Sequence, residues 1–419
     1  MNRRDFIKLA GLAGLSVTAP WSLSSRAQAQ GMEYGGPLYL ILHAGGGWDP
    51  TSLCDPKGYL TDPEEEGRLN NYARDDIRSP SEPSPIRWAP FANNDAFFER
   101  HYKKLLVING IDTATNNHSA GPRHIHSGNL GEGHPAFAAL VAATHAREKP
   151  LSFITNGGYD ITRGVVARTR SGNLDAIERI AFPNKLGDGT YHTDAGYEKI
   201  LDAQREQVSM LQGRQRLPHL KESLSTLVLA RSSNNELQKL TEFLPDLNRL
   251  DTGPGRQAAL AIAAFRAGLC VSANLSTGGF DTHGDHDNRH ATALSRLTNG
   301  LNEIWEEAER QEVADRIVVI VGSDFGRTPG YNDGNGKDHW PITSMLFMGA
   351  GIQGNRVVGA TDDGHRPLKI NPSTLEPDEG GVVIEPVQIQ RELRRFAGVG
   401  GDYEAQYPLL GDDLTGLFG

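Results

Sequence analysis

Apolar runs rich in β-branched residues recur along the chain at Leu38–Leu42, Leu105–Ile108, Cys270–Leu275, Ile317–Val321 and Met345–Met348. Runs of this length, only that at Cys270–Leu275 being interrupted by polar residues (Ser272 and Asn274), predict buried strands. Between the third and fourth runs the period changes. Ala291, Leu294, Leu297, Leu301, Ile304, Trp305 and Ala308 recur at three- and four-residue spacing, which predicts an amphipathic helix leading into the strand near Arg316. Strands alternating with helical periods predict an α/β fold, a mostly parallel central sheet flanked by helices. A last helix is expected over Val387–Phe396, after an acidic, glycine-containing loop or hairpin from Pro372 to Pro386. Residues 55–90, rich in Pro, Asp, Glu and Arg, read as an excursion over the surface. Residues 194–248 are long, polar and helix-favouring, with scattered leucines, and read as a helical insertion or cap.

The amino terminus changes the picture of where the chain works. Arg3-Arg4-Asp5-Phe6-Ile7-Lys8 resembles the twin-arginine export consensus, and a short apolar stretch from Leu9 to Leu23 follows. Arg26-Ala27-Gln28-Ala29 then offers a small-x-small cleavage pattern. The stretch is too short and too interrupted for a permanent span, so residues 1–29 read as a twin-arginine signal peptide. Residues 30–419 then form a single domain, delivered folded by the twin-arginine translocase to the periplasm or beyond. Removing residues 1–29 leaves 38 basic and 51 acidic residues, a net charge of −13. So acidic a chain repels phosphate backbones, and nucleic acid is not an expected partner. No other apolar run approaches membrane-spanning length. The two cysteines, Cys54 and Cys270, leave one disulfide or two buried thiols open.

In an open α/β sheet, ligands bind beyond the carboxyl ends of the strands, so the residues directly after the apolar runs carry the chemistry. The first run ends in His43-Ala44-Gly45-Gly46-Gly47-Trp48-Asp49, with Asp49 as a candidate anionic ligand. The second is followed by Thr115, then His118-Ser119-Ala120-Gly121-Pro122-Arg123-His124-Ile125-His126, which combines imidazoles, a hydroxyl and a planar anion binder. After the third comes Gly279-Phe280-Asp281-Thr282-His283-Gly284-Asp285-His286, a carboxylate and two imidazoles in a glycine-loosened turn. That donor set suits a divalent metal ion such as zinc, manganese, calcium or magnesium. The fourth leads to Ser323-Asp324-Phe325-Gly326-Arg327-Thr328-Pro329 and then Lys337-Asp338-His339-Trp340, where Asp338 is placed to fix the tautomer of His339.

Together, the Gly-Phe-Asp-Thr-His-x-x-His segment, Ser323–Pro329 and Lys337–Trp340 resemble domain-of-unknown-function family 1501, whose members commonly carry a twin-arginine signal. That family is grouped with the alkaline phosphatase and sulfatase superfamily, in which an α/β sheet holds one or two divalent metals beside a Ser, Thr or formylglycine nucleophile. The resemblance implies metal ligands at Asp49, Asp281, His283 or His286, Asp324 and His339. It makes Ser119 the candidate nucleophile, Thr115 the reserve, and Arg123, His118 and Arg327 its helpers. Two departures stand out. Neither His283 nor His286 falls at the four-residue offset of the superfamily's Asp-x-x-x-His pair, and Phe325 stands where a histidine would follow Asp324. The expected function is a metal-dependent hydrolase of small phosphate or sulfate esters. The alternative is a non-catalytic, metal-stabilised binding or envelope-assembly protein.

Overall fold

The computed structural model describes residues 17–18, 34–60, 68–170, 182–187, 189–217, 234–246 and 249–419. The signal peptide expected over residues 1–29 therefore lies, apart from 17–18, outside the described residues. The strands are β1 (Val17–Thr18), β2 (Leu38–Gly45), β3 (Leu105–Asp112), β4 (Phe153–Thr155), β5 (Arg168–Arg170), β6 (Lys185–Leu186), β7 (Gly189–Thr190), β8 (Ser272–Gly278), β9 (Ile317–Ser323), β10 (Gly326–Arg327), β11 (His339–Trp340), β12 (Ile342–Gly349) and β13 (Arg356–Val358). The helices that matter here are α1 (Asn94–His101), α2 (Ala120–Ser127), α3 (Phe137–His145), α4 (Asp194–Arg214), α5 (Asn234–Phe243), α6 (Gly253–Arg266), α7 (His286–Arg310) and α8 (Pro386–Phe396).

The central sheet runs β1-β5-β4-β8-β2-β9-β12-β3-β13. From β5 to β9 every neighbour is parallel, whereas β12 runs antiparallel to both β9 and β3. All five predicted strands are present, and the sheet is mostly parallel as expected. Every residue of β9 is buried, as is all of β2 but its last, which is why their sequences show no alternation. Successive side chains still point to opposite faces. Leu38, Leu40, Leu42, Ile317, Val319 and Val321 join α6 and α7 in one core, while Tyr39, Ile41, Val318 and Ile320 join α3 and α8 in the other. The result is three layers, helix on sheet on helix.

The predicted helix over 291–308 is the centre of α7, which buries Leu294, Leu297, Leu301, Ile304, Trp305 and Ala308. Over the expected insertion, the described part is helical: α4, capped by Thr193, and α5. The surface excursion over 55–90 needs correction. Asn70, Ile86 and Trp88 are buried, and Trp88 stacks on Phe98 with centroids 5.2 Å apart, so this segment closes one side of the core. Cys54 and Cys270 are both free and buried. No helix among the described residues is long and apolar enough to cross a membrane.

Candidate functional site

Register places the site. Gly45 pairs with Gly278 and Ala44 with Ser323, so β2, β8 and β9 end level with one another. The loops leaving β8 and β9 bring Asp281 and Asp324 to the rim that His43 reaches from within β2. Gly46, at φ +116°, permits the tight approach: a Cβ there would stand 2.5 Å from the Asp281 backbone nitrogen. The glycines after the first strand thus admit the neighbouring loop.

Asp281 is the half-exposed hub. Its Oδ1 lies 3.0 Å from His283 Nε2, 3.1 Å from His339 Nε2 and 2.8 Å from Arg327 Nη2, and its Oδ2 lies 3.7 Å from His118 Nε2. Desolvation opposes its charge, but the Arg327 guanidinium, His339 and His283 outweigh it and hold the carboxyl down at about 2. Asp324 is the second, nearly buried carboxylate. His118 Nδ1 is 2.6 Å from its Oδ2, His43 Nε2 2.9 Å from its Oδ1, and Gly46 N donates to Oδ2 at 3.2 Å. Here too burial is overcome, by His43 and His118, and the acid lies below the usual carboxylate range. Behind it, His43 Nδ1 meets His126 Nε2 at 3.0 Å, and burial keeps His126 far below the ordinary histidine range, hence neutral.

His118 joins the two carboxylates, and this resolves the departure at Phe325. The fully buried Phe325 ring packs 4.9 Å from His118 and 4.5 Å from His339. It forms an apolar backing while His118, from the loop before α2, and His43, from β2, supply the imidazoles that meet Asp324. His118, Asp281 and His339 each offer a ligand atom, and these atoms lie within 4.8 Å of one another. His283 Nε2 and His339 Nε2 are only 3.0 Å apart at the same carboxylate oxygen. Imidazole nitrogens converging on one ionised oxygen are a donor set that fits a borderline divalent cation.

Several expected residues take other places. Asp338 orients His283, Nδ1 to Oδ1 at 2.7 Å, whereas His339 Nδ1 meets the backbone oxygen of Asn116 at 2.9 Å. The pairing expected between Asp338 and His339 is thus replaced by one across the cleft. Arg327 is fully buried and donates to Gly47 O, Gly46 O, Lys337 O and Asp281. With its donors directed inward it positions Asp281 and cannot clamp a substrate anion. The β10–β11 ribbon sets it opposite His339. Arg123 turns to Leu130 O at 2.7 Å and Glu132 at 3.5 Å. Ser119 is exposed at the start of α2, and its side chain makes no capping bond there. Gly121, two residues on, presses so close to Asp324 that a Cβ would meet its carbonyl oxygen at 2.2 Å. Thr115 Oγ1 accepts from Asn117 N at 3.2 Å, a local turn.

Asp49 and His286, grouped by sequence with the metal ligands, lie in a separate buried knot. Lys337 Nζ donates to Asp49 Oδ2 at 2.7 Å and to Asn70 Oδ1 at 2.9 Å, and all three side chains are buried. Thr51 N and Oγ1 donate to Asp49 Oδ1, and His286 Nε2 stands 3.2 Å from Oδ2. Asp49 N donates to His290 Nε2 at 3.0 Å, which requires a neutral ring, and burial keeps His290 well below its usual range. The cation that balances Asp49 is therefore a lysine. Lys337 was visible in the sequence only as the residue before Asp338; His43 and His126 lay within the strand-end motifs but were given no role of their own, and His290 carried no signal beyond being a histidine in a helix.

Residues 248–375 match the family described as a protein of unknown function, DUF1501, over the stretch that supplies Asp281, His283, Asp324 and His339. No curated protein sequence matches the chain. Among solved structures, the chain is similar to the lipoteichoic acid synthase LtaP from Listeria monocytogenes, at 9% identity and TM-score 0.41, over 98% of this chain and 81% of that one. A 2-O GAG sulfatase shares 9% identity at TM-score 0.33, over 87% of this chain and 71% of that one. A TAB5 alkaline phosphatase variant with Mg bound shares 8% identity at TM-score 0.34, over 87% and 99%.

Proposed function

We propose that this chain is an exported, metal-dependent hydrolase of phosphate or sulfate esters. One observation carries the reading: two ionised carboxylates, Asp281 and Asp324, joined by His118 at the level ends of parallel strands, with His339 and His283 converging on the exposed one. Asp281, His339 and His118 would hold a divalent cation, and His283 stands beside them. Bound there, the ion would offset charge on the transferring group and favour ionisation of a nearby hydroxyl.

The chain's own residues divide the remaining work. Arg327 and Asp338 fix Asp281 and His283, and Phe325 excludes water from one side of the imidazoles. Ser119 presents its hydroxyl one residue from His118, at the start of a helix whose N-terminal dipole favours an anion. In the proposed reaction Ser119 Oγ attacks phosphorus or sulfur, its proton is taken up by a neighbouring base, and the ester's alcohol leaves with a proton. Water then cleaves the Ser119 ester, releasing phosphate or sulfate and restoring the hydroxyl. With Nδ1 held by Asp324 and Nε2 given to the ion, His118 has no nitrogen left for these protons, and His283, beside the site with its Nδ1 held by Asp338, is the candidate for moving them. Twin-arginine export fits this reading, because a protein carried across folded can acquire its ion beforehand.

Hydrolysis of aryl phosphate and aryl sulfate esters, assayed with zinc, manganese, calcium and magnesium, tests the proposal. The expected result is a metal-dependent rate with one ester class, reduced at least about 100-fold in Asp281→Ala and in Ser119→Ala. Equal rates in wild type and both variants would overturn it. The orientation of Arg123 away from the cluster favours a second reading, a metal-stabilised binding or envelope-assembly protein, which predicts metal uptake without turnover.

A further inference from the structure

A cleft of about 370 Å³ opens beside the turn that delivers Asp281, lined by Gly279, Asn288, Arg289, Thr292, Ala293 and Arg296. Its helical wall follows from sequence spacing, since residues 289, 292, 293 and 296 share one face of α7. Its floor follows from Gly279, at φ +99°, where an added Cβ would come 3.7 Å from Ala293 Cβ and 3.9 Å from Arg296 Nη1. The two guanidiniums, two turns apart on the helix, reach back to the same strand-end turn. Arg289 donates to Asp281 O at 3.4 Å and to Gly284 O at 3.3 Å, and Arg296 donates to Gly278 O at 3.3 Å.

These are long bonds to backbone oxygens, and among the described residues neither guanidinium is paired with a carboxylate. Asp285, one turn before Arg289, is instead engaged by Asn288 Nδ2 at 2.7 Å. Two exposed, unpaired arginines facing one cleft are a local positive site on a chain of net charge −10. Their planar forks match the oxygens of a phosphate or sulfate group.

We propose that this cleft is an anion subsite, holding a second phosphate or sulfate group of the substrate while the reacting ester lies at Asp281. The inference rests on the hydrolase reading and narrows it to substrates bearing two or more oxyanion groups, because only Phe280 separates the cleft floor at Gly279 from the hub carboxylate Asp281.

Two measurements on the full chain test it. In the presence of a chelator, inorganic pyrophosphate and inorganic sulfate are titrated by calorimetry into wild type, Arg289→Gln/Arg296→Gln and Asp281→Asn. Wild type and Asp281→Asn should bind at least one of the two, which identifies the preferred group, and the double variant should bind at least about tenfold more weakly. Equal binding in wild type and the double variant, no binding by wild type, or loss in Asp281→Asn alone would overturn the assignment. The second measurement is the ratio of kcat/KM for an aryl ester bearing an additional phosphate or sulfate to that for the plain ester. The ratio should fall at least about fivefold in the double variant, and an unaltered ratio contradicts the subsite. If no ester is turned over, the hydrolase reading fails while the titration still decides the cleft.

Discussion

Lys337 carries its charge to a place closed to water, and Asp49 is there to meet it. A buried ion pair contributes little relative to a well-packed apolar pair, but removing one partner leaves the other charge uncompensated. Lys337→Met should therefore destabilise the fold by about 3–5 kcal/mol, read by urea unfolding. Adding Asp49→Leu should restore part of that loss, and equal destabilisation in the single and double variants would show that the charge was not at issue. Because Lys337 immediately precedes Asp338 and His339, the single variant should also weaken metal binding without removing any ligand. At this scale the sequence was readable where a polar residue follows an apolar run. Asp281, His283, Asp324 and His339 stand out that way, and so does His118 as part of a histidine-rich loop. His43 also follows its run directly but was not set apart from its neighbours, and only the pairing of β2 with β9 shows that it faces Asp324. Nor could Asp49 be separated from the ligands, since a carboxylate that meets a lysine and one that meets a metal ion have the same sequence signature.

Helix α2 shows how an element aims a site. Its first turn carries Gly121 against the backbone of Asp324, so the loop holding His118 and Ser119 is seated on the end of β9. Gly121→Ala places a methyl group 2.2 Å from the Asp324 carbonyl oxygen and must push the helix outward. The expected cost is about 1–3 kcal/mol, with divalent metal affinity falling as His118 leaves Asp281. Thermal unfolding and metal titration of this variant check both parts, and a variant as stable and as metal-competent as wild type would contradict the packing. Elements with a strong pattern were legible: α7 from its spacing, and β2, β9 and β12 from their continuous apolar runs. Helix α3 was not, because Phe137–Ala143 is buried on every side and its sequence shows no polar face. The antiparallel direction of β12 was equally hidden, since an apolar run reads the same both ways.

Across the whole molecule, the interior holds an unusual store of neutral histidine. Burial holds His101 down at about 4 and keeps His124, His126 and His290 below the ordinary value of 6.5. The unfolded chain takes up these protons near pH 6.5 while the folded chain does not, so stability is fully present above that pH and declines below it. Each such group adds a slope of up to about 1.4 kcal/mol per pH unit. Urea unfolding should show a steep loss between pH 7 and pH 5, and a flat profile there would refute the burial of these rings as neutral species. Below about pH 4 the depressed carboxylates Asp49, Asp281 and Asp324 add to the loss as they protonate.

The same layered architecture that buries these rings leaves Asp281 exposed at the level ends of β2, β8 and β9, and the account rests on what that carboxylate holds. Calorimetric titration of chelator-treated protein with zinc and manganese measures it directly. The account predicts saturable binding of at least one of these ions in wild type, lost in both Asp281→Ala and His339→Ala while the variants remain folded. Binding that is the same in wild type and both variants, or no binding in wild type, would contradict it.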